Sequence, residues 1–250
     1  MLKVDFRRMF TQPLFYIMAG AALVVPILVL VMVTMMEGSV SVDPTTGVET
    51  VMVGFQNAWQ PIANLSTATS TGMDMVSMCN INLLYFAVAV FVCIFVSDDF
   101  RSGYAKNLFA VRAKKADYVI SKTLAGLLCG AVMILAWLVG TLLGGAIAGL
   151  PFNLGTAGIS GLVMCLLGKM FLMLVFVALA LLLASVAKQK LWMSITFSLM
   201  AGMLFFMMIP MLTPLDSTVM NVIGCLLGGV LLSVGIGAGS NLVLKKTSLV

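Results

Sequence analysis

The chain has 250 residues, of which 62% are hydrophobic and 9% are charged. A water-soluble globule carries about a quarter charged residues, so lipid is the solvent for most of this chain. The net charge of +5 comes from basic residues in short segments beside apolar runs, a pattern set by membrane topology and not by nucleic-acid binding.

Taken in order, Met1–Gln12 reads as a short interfacial helix. Leu2, Phe6, Met9 and Phe10 share one side, and Lys3, Arg7 and Arg8 face lipid headgroups. Pro13 suits the first turn of a span over about 14–36, where a missing amide costs nothing. That span is too long for a cleaved signal peptide and lacks a small-residue cleavage site, so it is expected to be retained. Residues 37–77 carry Glu37, Asp43, Glu49 and Asp74 but no Lys or Arg, which marks an external loop. Within it, Val51–Leu65 with Phe55 and Trp59 is expected to form a short helix on the membrane surface, followed by the polar run 67–71.

A second span over about 78–96 leads into the charged segment 97–122, which holds six of the fourteen Lys and Arg residues. Read as a helix from Asp99 to Val111, this segment places Phe100, Tyr104, Leu108 and Val111 on one face. Its acidic residues come first and its basic ones last, the order that suits a helix dipole. A third span follows over about 123–150, with Gly126xxxGly130, Gly140xxxGly144 and Gly145xxxGly149 allowing close helix approach to partners the sequence does not name.

Counting back from Lys188 starts a fourth span near 168 and leaves 156–167 as an interfacial or re-entrant piece. Lys169 then falls at the external boundary, where its ammonium snorkels to headgroups. A span beginning near Ile159 would instead bury it and make it a functional candidate. The fifth span, about 191–212, carries Met200, Met203, Met207 and Met211 on one face, either a surface for varied apolar shapes or ordinary filler. Pro210 and Pro214 end or kink it. The sixth, about 218–244, holds Gly224xxxGly228 and Gly235xxxGly239 and leads to Lys245 and Lys246. Thirteen of the fourteen Lys and Arg residues then lie on one side, with Lys169 the exception. Six spans with both termini cytoplasmic satisfy the positive-inside rule.

The five cysteines, at 79, 93, 129, 165 and 225, form no CxxC pair, and histidine is absent, so neither a zinc site nor the usual general base is indicated. A phosphate loop is excluded around Lys169, because Val163 and Met170 stand where Gly and Ser or Thr are required. No span core holds an Asp or Glu, the groups that an ion-coupled secondary transporter places in its pathway. An energy supply from another subunit fits this inventory. A secondary transporter and a non-transporting membrane immunity protein are the alternatives.

The order Asp99, Gly103, Leu108, Lys115, Asp117, Tyr118, Lys122 resembles the segment between the second and third membrane helices of ABC-2 type permeases, the membrane subunits of ATP-binding-cassette exporters. The chain departs from the common pattern at Arg112, where many members carry Pro, and at Asp98 and Asp99, where several carry Glu. The resemblance spans the whole chain as one all-α transmembrane domain, residues 1–250, in a bacterial cytoplasmic membrane. It implies a coupling helix that docks on the ATPase through Asp99, Phe100, Gly103, Tyr104, Leu108, Arg112 and Lys115. It also implies a substrate path between two permeases, lined by Phe86, Phe91, Phe95, Met203 and Met207. The implied partners are a second permease copy or homologue, two ATP-binding subunits that carry ATP and Mg, and membrane lipid. Amphipathic peptides such as bacteriocins, or drug-like molecules, are the implied substrates.

Overall fold

The computed structural model describes residues 1–42, 49–51, 54–63, 80–110, 114–155, 158–206 and 208–246. Its helices are α1 (Leu2–Thr11), α2 (Pro13–Met35), α3 (Leu83–Arg101), α4 (Tyr104–Ala110), α5 (Lys115–Ala148), α6 (Gly158–Ala187), α7 (Leu191–Phe206), α8 (Ile209–Leu212) and α9 (Val219–Lys246). Five of them, α2, α3, α5, α6 and α9, are long and apolar enough to cross a membrane, with mean hydropathy from 2.1 to 2.8. Helix α7 has 16 residues, fewer than the roughly 20 that a bilayer core requires.

The helices pack around α3. Its apolar window is 67% buried, against 11% for α9, so α3 is the centre of the bundle and α9 its periphery. Helices α5, α6 and α7 surround α3, while α2 lies along α5 and α9 along α6. Glycine sets the closest of these approaches. A Cβ at Gly140 of α5 would stand 2.2 Å from the Leu23 carbonyl oxygen of α2, and one at Gly144 would stand 2.8 Å from Ile27 Cα. On α9, a Cβ at Gly229 would meet the Phe171 carbonyl oxygen of α6 at 2.4 Å. The Gly140xxxGly144 pair therefore has α2 as its partner, whereas Gly224, Gly228 and Gly235 meet no atom within 4 Å.

Helix α5 runs for 34 residues, about 51 Å, so it exceeds a hydrocarbon core of roughly 30 Å by several turns. Its first turns carry Lys115, Asp117, Tyr118 and Lys122, eight residues earlier than the expected start of a third span. Its far end closes with Gly149 at φ 70°, where the Leu150 amide donates to the Gly145 carbonyl and reverses the chain.

The expected external loop differs from its sequence reading in two places. Val40–Val42 pairs antiparallel with Glu49–Val51, Val40 opposite Val51, so the fold is helical with one small β ribbon among the described residues. Both strands are rich in β-branched residues, and Pro44 and Gly47 lie between them in sequence. Residues 54–63 form turns and not a surface helix. Phe55, Ala58, Trp59 and Ile62 are buried: Phe55 joins Leu30 and Val33 of α2, the Ala58 amide donates to the Pro151 carbonyl just past α5, and Trp59 meets Phe152 edge to face. Residues 67–71 lie outside the described residues.

Two helix boundaries also change. α6 begins at Gly158, ten residues before the expected start of the fourth span, because no proline interrupts 159–168. Lys169 is consequently inside a helix and is 1% exposed. Its ammonium does not snorkel but donates to Asn82 Oδ1 and Thr213 Oγ1, both at 2.9 Å. Asn82 caps α3 and Thr213 follows α8, so the lysine ties the ends of two helices to the body of α6. The expected fifth span is divided into α7 and the four-residue α8, in keeping with Pro210 near its outer end.

Candidate functional site

At the opposite end of α3, three helices each place a pair of functional residues on one face. Helix α1 contributes Asp5 and Arg8, spaced i,i+3. Helix α3 contributes Phe95 and Asp99, and α5 contributes Tyr118 and Lys122, both spaced i,i+4. Lys122 Nζ bridges Asp5 Oδ1 at 2.8 Å and Asp99 Oδ2 at 2.7 Å. It also lies 3.7 Å from the centroid of the Phe95 ring, a cation–π contact. Arg8 Nη1 donates to Asp99 Oδ1 at 2.6 Å, and the Tyr118 hydroxyl donates to Asp99 Oδ2 at 2.9 Å. The Ser121 hydroxyl donates to Asp5 Oδ2.

The two carboxylates and two cations neutralise one another, and all four carboxylate oxygens accept a hydrogen bond. Asp5, Asp99 and Lys122 have side chains at most 1% exposed. A buried cluster of this kind adds little net stability over apolar packing, but losing one member leaves an uncompensated charge. What it supplies here is register: α1, the end of α3 and the start of α5 are held in one relative position.

Helix α4 is attached to this cluster. The single helix expected from Asp99 to Val111 is broken at Ser102 and Gly103, where Gly103 takes φ +72° and turns the chain. Asp99 and Phe100 therefore belong to the last turn of α3 and point into the core. Tyr104, at the start of α4, stacks against Arg8, whose Cζ is 4.3 Å from the ring centroid. Phe109 meets Tyr118 edge to face at 5.4 Å, and Ala105 is fully buried. Lys115 Nζ donates to the Leu244 carbonyl near the end of α9. Burial opposes the charge on Arg8, but the adjacent Asp99 offsets it and holds the guanidinium pKa above its ordinary value. Burial first, and then the charge of Asp5, push the Tyr104 phenol up. The outward face of α4 consists of Lys106, Asn107 and Ala110, while Tyr104 and Leu108 are half-buried against the chain itself.

Arg8, expected at the headgroups, is turned inward by Asp99. The buried face of α1 is Asp5 and Met9, while Leu2 and Phe10 are exposed. Sequence reasoning missed Asp5 and Ser121. The available signal was Asp5 as the lone acid of a basic N-terminal helix, three residues before Arg8.

Among the described residues, those expected along a substrate path do not form one surface in the single chain. Phe91 and Phe95 are buried in the core and stacked on each other at 5.7 Å. Phe86 of α3 packs against Phe176 of α6 and Phe206 of α7. Met203 is on the open face of α7 with Met200 and Leu204. Arg112, Val111 and Met207 lie outside the described residues.

Five apolar helices of spanning length, two of them tied to the N-terminal helix by a buried ion cluster at one end, define a multi-pass membrane protein. The sequence profile of the ABC-2 family transporter proteins matches residues 2–207, and the chain belongs to that family, whose members are membrane components of transporters. No curated protein and no solved structure matches the chain.

Proposed function

We propose that this chain is the permease subunit of an ATP-binding-cassette exporter in a bacterial cytoplasmic membrane. In this reading α7 and α8 together complete a sixth crossing, and α1, α4 and both termini face the cytoplasm. Thirteen of the fourteen Lys and Arg residues then lie on the cytoplasmic side. Two permeases, identical or homologous, enclose the substrate, an amphipathic or hydrophobic peptide or a drug-like molecule. Two ATP-binding subunits supply ATP and Mg.

The observation that carries this reading is the attachment of α4 to the roots of three helices through Tyr104, Arg8, Asp99 and Lys122. A push on the exposed face of α4 is transmitted to α1, α3 and α5, because Asp99 accepts from or pairs with a residue on each neighbour. In this role α4 is the coupling helix, with Lys106 and Asn107 at the ATPase surface and Leu108 and Tyr104 behind them. The open Met200, Met203 and Leu204 face of α7 lines the path or its partner contact.

Co-purification with an ATP-binding subunit tests the assignment. Lys106→Glu and Leu108→Ala are expected to weaken that association, with Leu108→Ala costing roughly 1–3 kcal/mol if its side chain is a buried contact of the complex. Full association and full substrate-stimulated ATP hydrolysis in both variants would remove α4 from the coupling role.

A further inference from the structure

Two independent features meet where α3 ends and α7 begins. An open groove of about 460 Å³ is lined by Arg101, Gln189, Lys190, Leu191, Trp192 and Ile195. It contains two exposed cations and no carboxylate, and neither cation forms an ion pair among the described residues. Trp192, 71% exposed, supplies an amphipathic ring of the kind that sits at a membrane interface. Leu191 and Ile195 continue the groove along the apolar surface of α7.

Immediately inward, Ser97 of α3 and Ser194 and Ser198 of α7 are buried, and their hydroxyls lack a hydrogen-bond partner among the described residues. The thiol of Cys93 is close to Ser194 and Ser198 but is a weak partner. Ser97 precedes Arg101 by one turn, and Ser194 and Ser198 follow Leu191 by one and two turns, so the hydroxyls lie on the same two helices, one or two turns beyond the groove. Burying three hydroxyls with no partner stronger than one thiol is unfavourable, and alanine would pack the same seam without that cost.

We propose that the groove and seam bind the headgroup of an acidic phospholipid from the leaflet on the α4 side. Its phosphate sits on Arg101 and Lys190, and its chains run along Leu191, Trp192 and Ile195. Its glycerol and ester oxygens enter the parted seam and accept from Ser97, Ser194 and Ser198. This rests on the membrane orientation given above but needs no ATP-binding subunit.

The test places the full chain in nanodiscs and follows quenching of Trp192 by brominated phosphatidylglycerol or brominated phosphatidylcholine. A Trp192→Phe variant supplies the signal of the other two tryptophans for subtraction. The expected preference for phosphatidylglycerol is about fivefold or more, since each cation near the surface contributes roughly that factor. Arg101→Gln with Lys190→Gln should abolish the preference. Ser97→Ala, Ser194→Ala and Ser198→Ala together should weaken quenching by both lipids while the melting temperature holds or rises. Equal quenching by both lipids in the native chain, or a preference that survives the double Gln variant, overturns the site. Unchanged quenching in the triple Ala variant overturns the part assigned to the seam. If the double Gln variant loses an ATP-binding subunit while the native chain shows no lipid preference, the groove is a protein contact and the proposal falls. A lipid preference without any ATPase association leaves the site intact and sinks only the exporter reading.

Discussion

The guanidinium of Arg8 and the carboxylate of Asp99 are 91 residues apart in the chain and 2.6 Å apart in the fold. Lys122 reaches the other oxygen of the same carboxylate, so Asp99 holds cations from two helices at once. Lys122→Met should therefore be costly, leaving Asp5 and Asp99 buried with one cation fewer. We expect a loss of about 3–5 kcal/mol in a reversible unfolding measurement, the range for removing one partner of a buried pair. Adding Asp99→Asn to Lys122→Met should cost much less than the sum of the two single changes. Strict additivity would show that the two residues do not interact.

The glycines of α5 and α9 predict opposite outcomes for one kind of substitution. Gly140→Ala drives a methyl group into the backbone of α2, which cannot move aside as a side chain can, and should cost about 1–3 kcal/mol or more. Gly224→Ala enters open space within a helix and should be neutral or stabilising by about 0.5–1 kcal/mol in the isolated chain. Melting temperatures of the two variants in one detergent provide the comparison. A Gly140→Ala chain as stable as the native one would contradict the α2–α5 contact.

Lys169 should resist chemistry that its neighbours accept. An amine-acylating reagent applied to the folded chain is expected to modify Lys106, Lys188 and Lys190, which are exposed, and to spare Lys169 until the chain is denatured. Peptide mass mapping reads this directly. Modification of Lys169 at the rate of Lys188 would restore the snorkelling geometry.

Much of this architecture is legible in the sequence, and its failures have physical causes. Long apolar runs give away the helices, and the positions of Lys and Arg give their ends. The motif from Asp99 to Lys122 names three members of the ion cluster, Asp99, Tyr118 and Lys122. Asp5 escaped because periodicity assigns a residue to a face of its own helix but does not say what that face meets. The same limit applies to Phe91 and Phe95. A helix that is apolar all round gives no preference for one face, so periodicity does not show that both rings are buried within the single chain. Lys169 was misplaced by counting residues back from Lys188, a procedure that assumes every helix is as long as the bilayer is thick. α6, at 30 residues, is not.

The open face of α7 separates filler from function. Met203→Leu should leave transport unchanged, since volume-conserving swaps are mild. Met203→Trp should block transport without lowering the yield of assembled complex if this face borders a cavity, because a cavity accepts volume that a packed interface does not. Transport and complex yield measured on one preparation distinguish the cases. Normal transport by a fully assembled Met203→Trp complex would exclude this face from the pathway.

The ion cluster also imposes an order on biogenesis. Asp5 and Lys122 are separated by 117 residues, so at roughly 5–20 residues per second the ribosome delivers the lysine some 6–23 seconds after the aspartate. Throughout that interval Asp5 and Arg8 wait at the membrane surface without Lys122, and α2 has no α5 to receive its Leu23 backbone. The first two segments of the chain are thus held in a provisional arrangement beside the insertion machinery. The N-terminal helix reaches its final seat only when the start of α5 has left the ribosome.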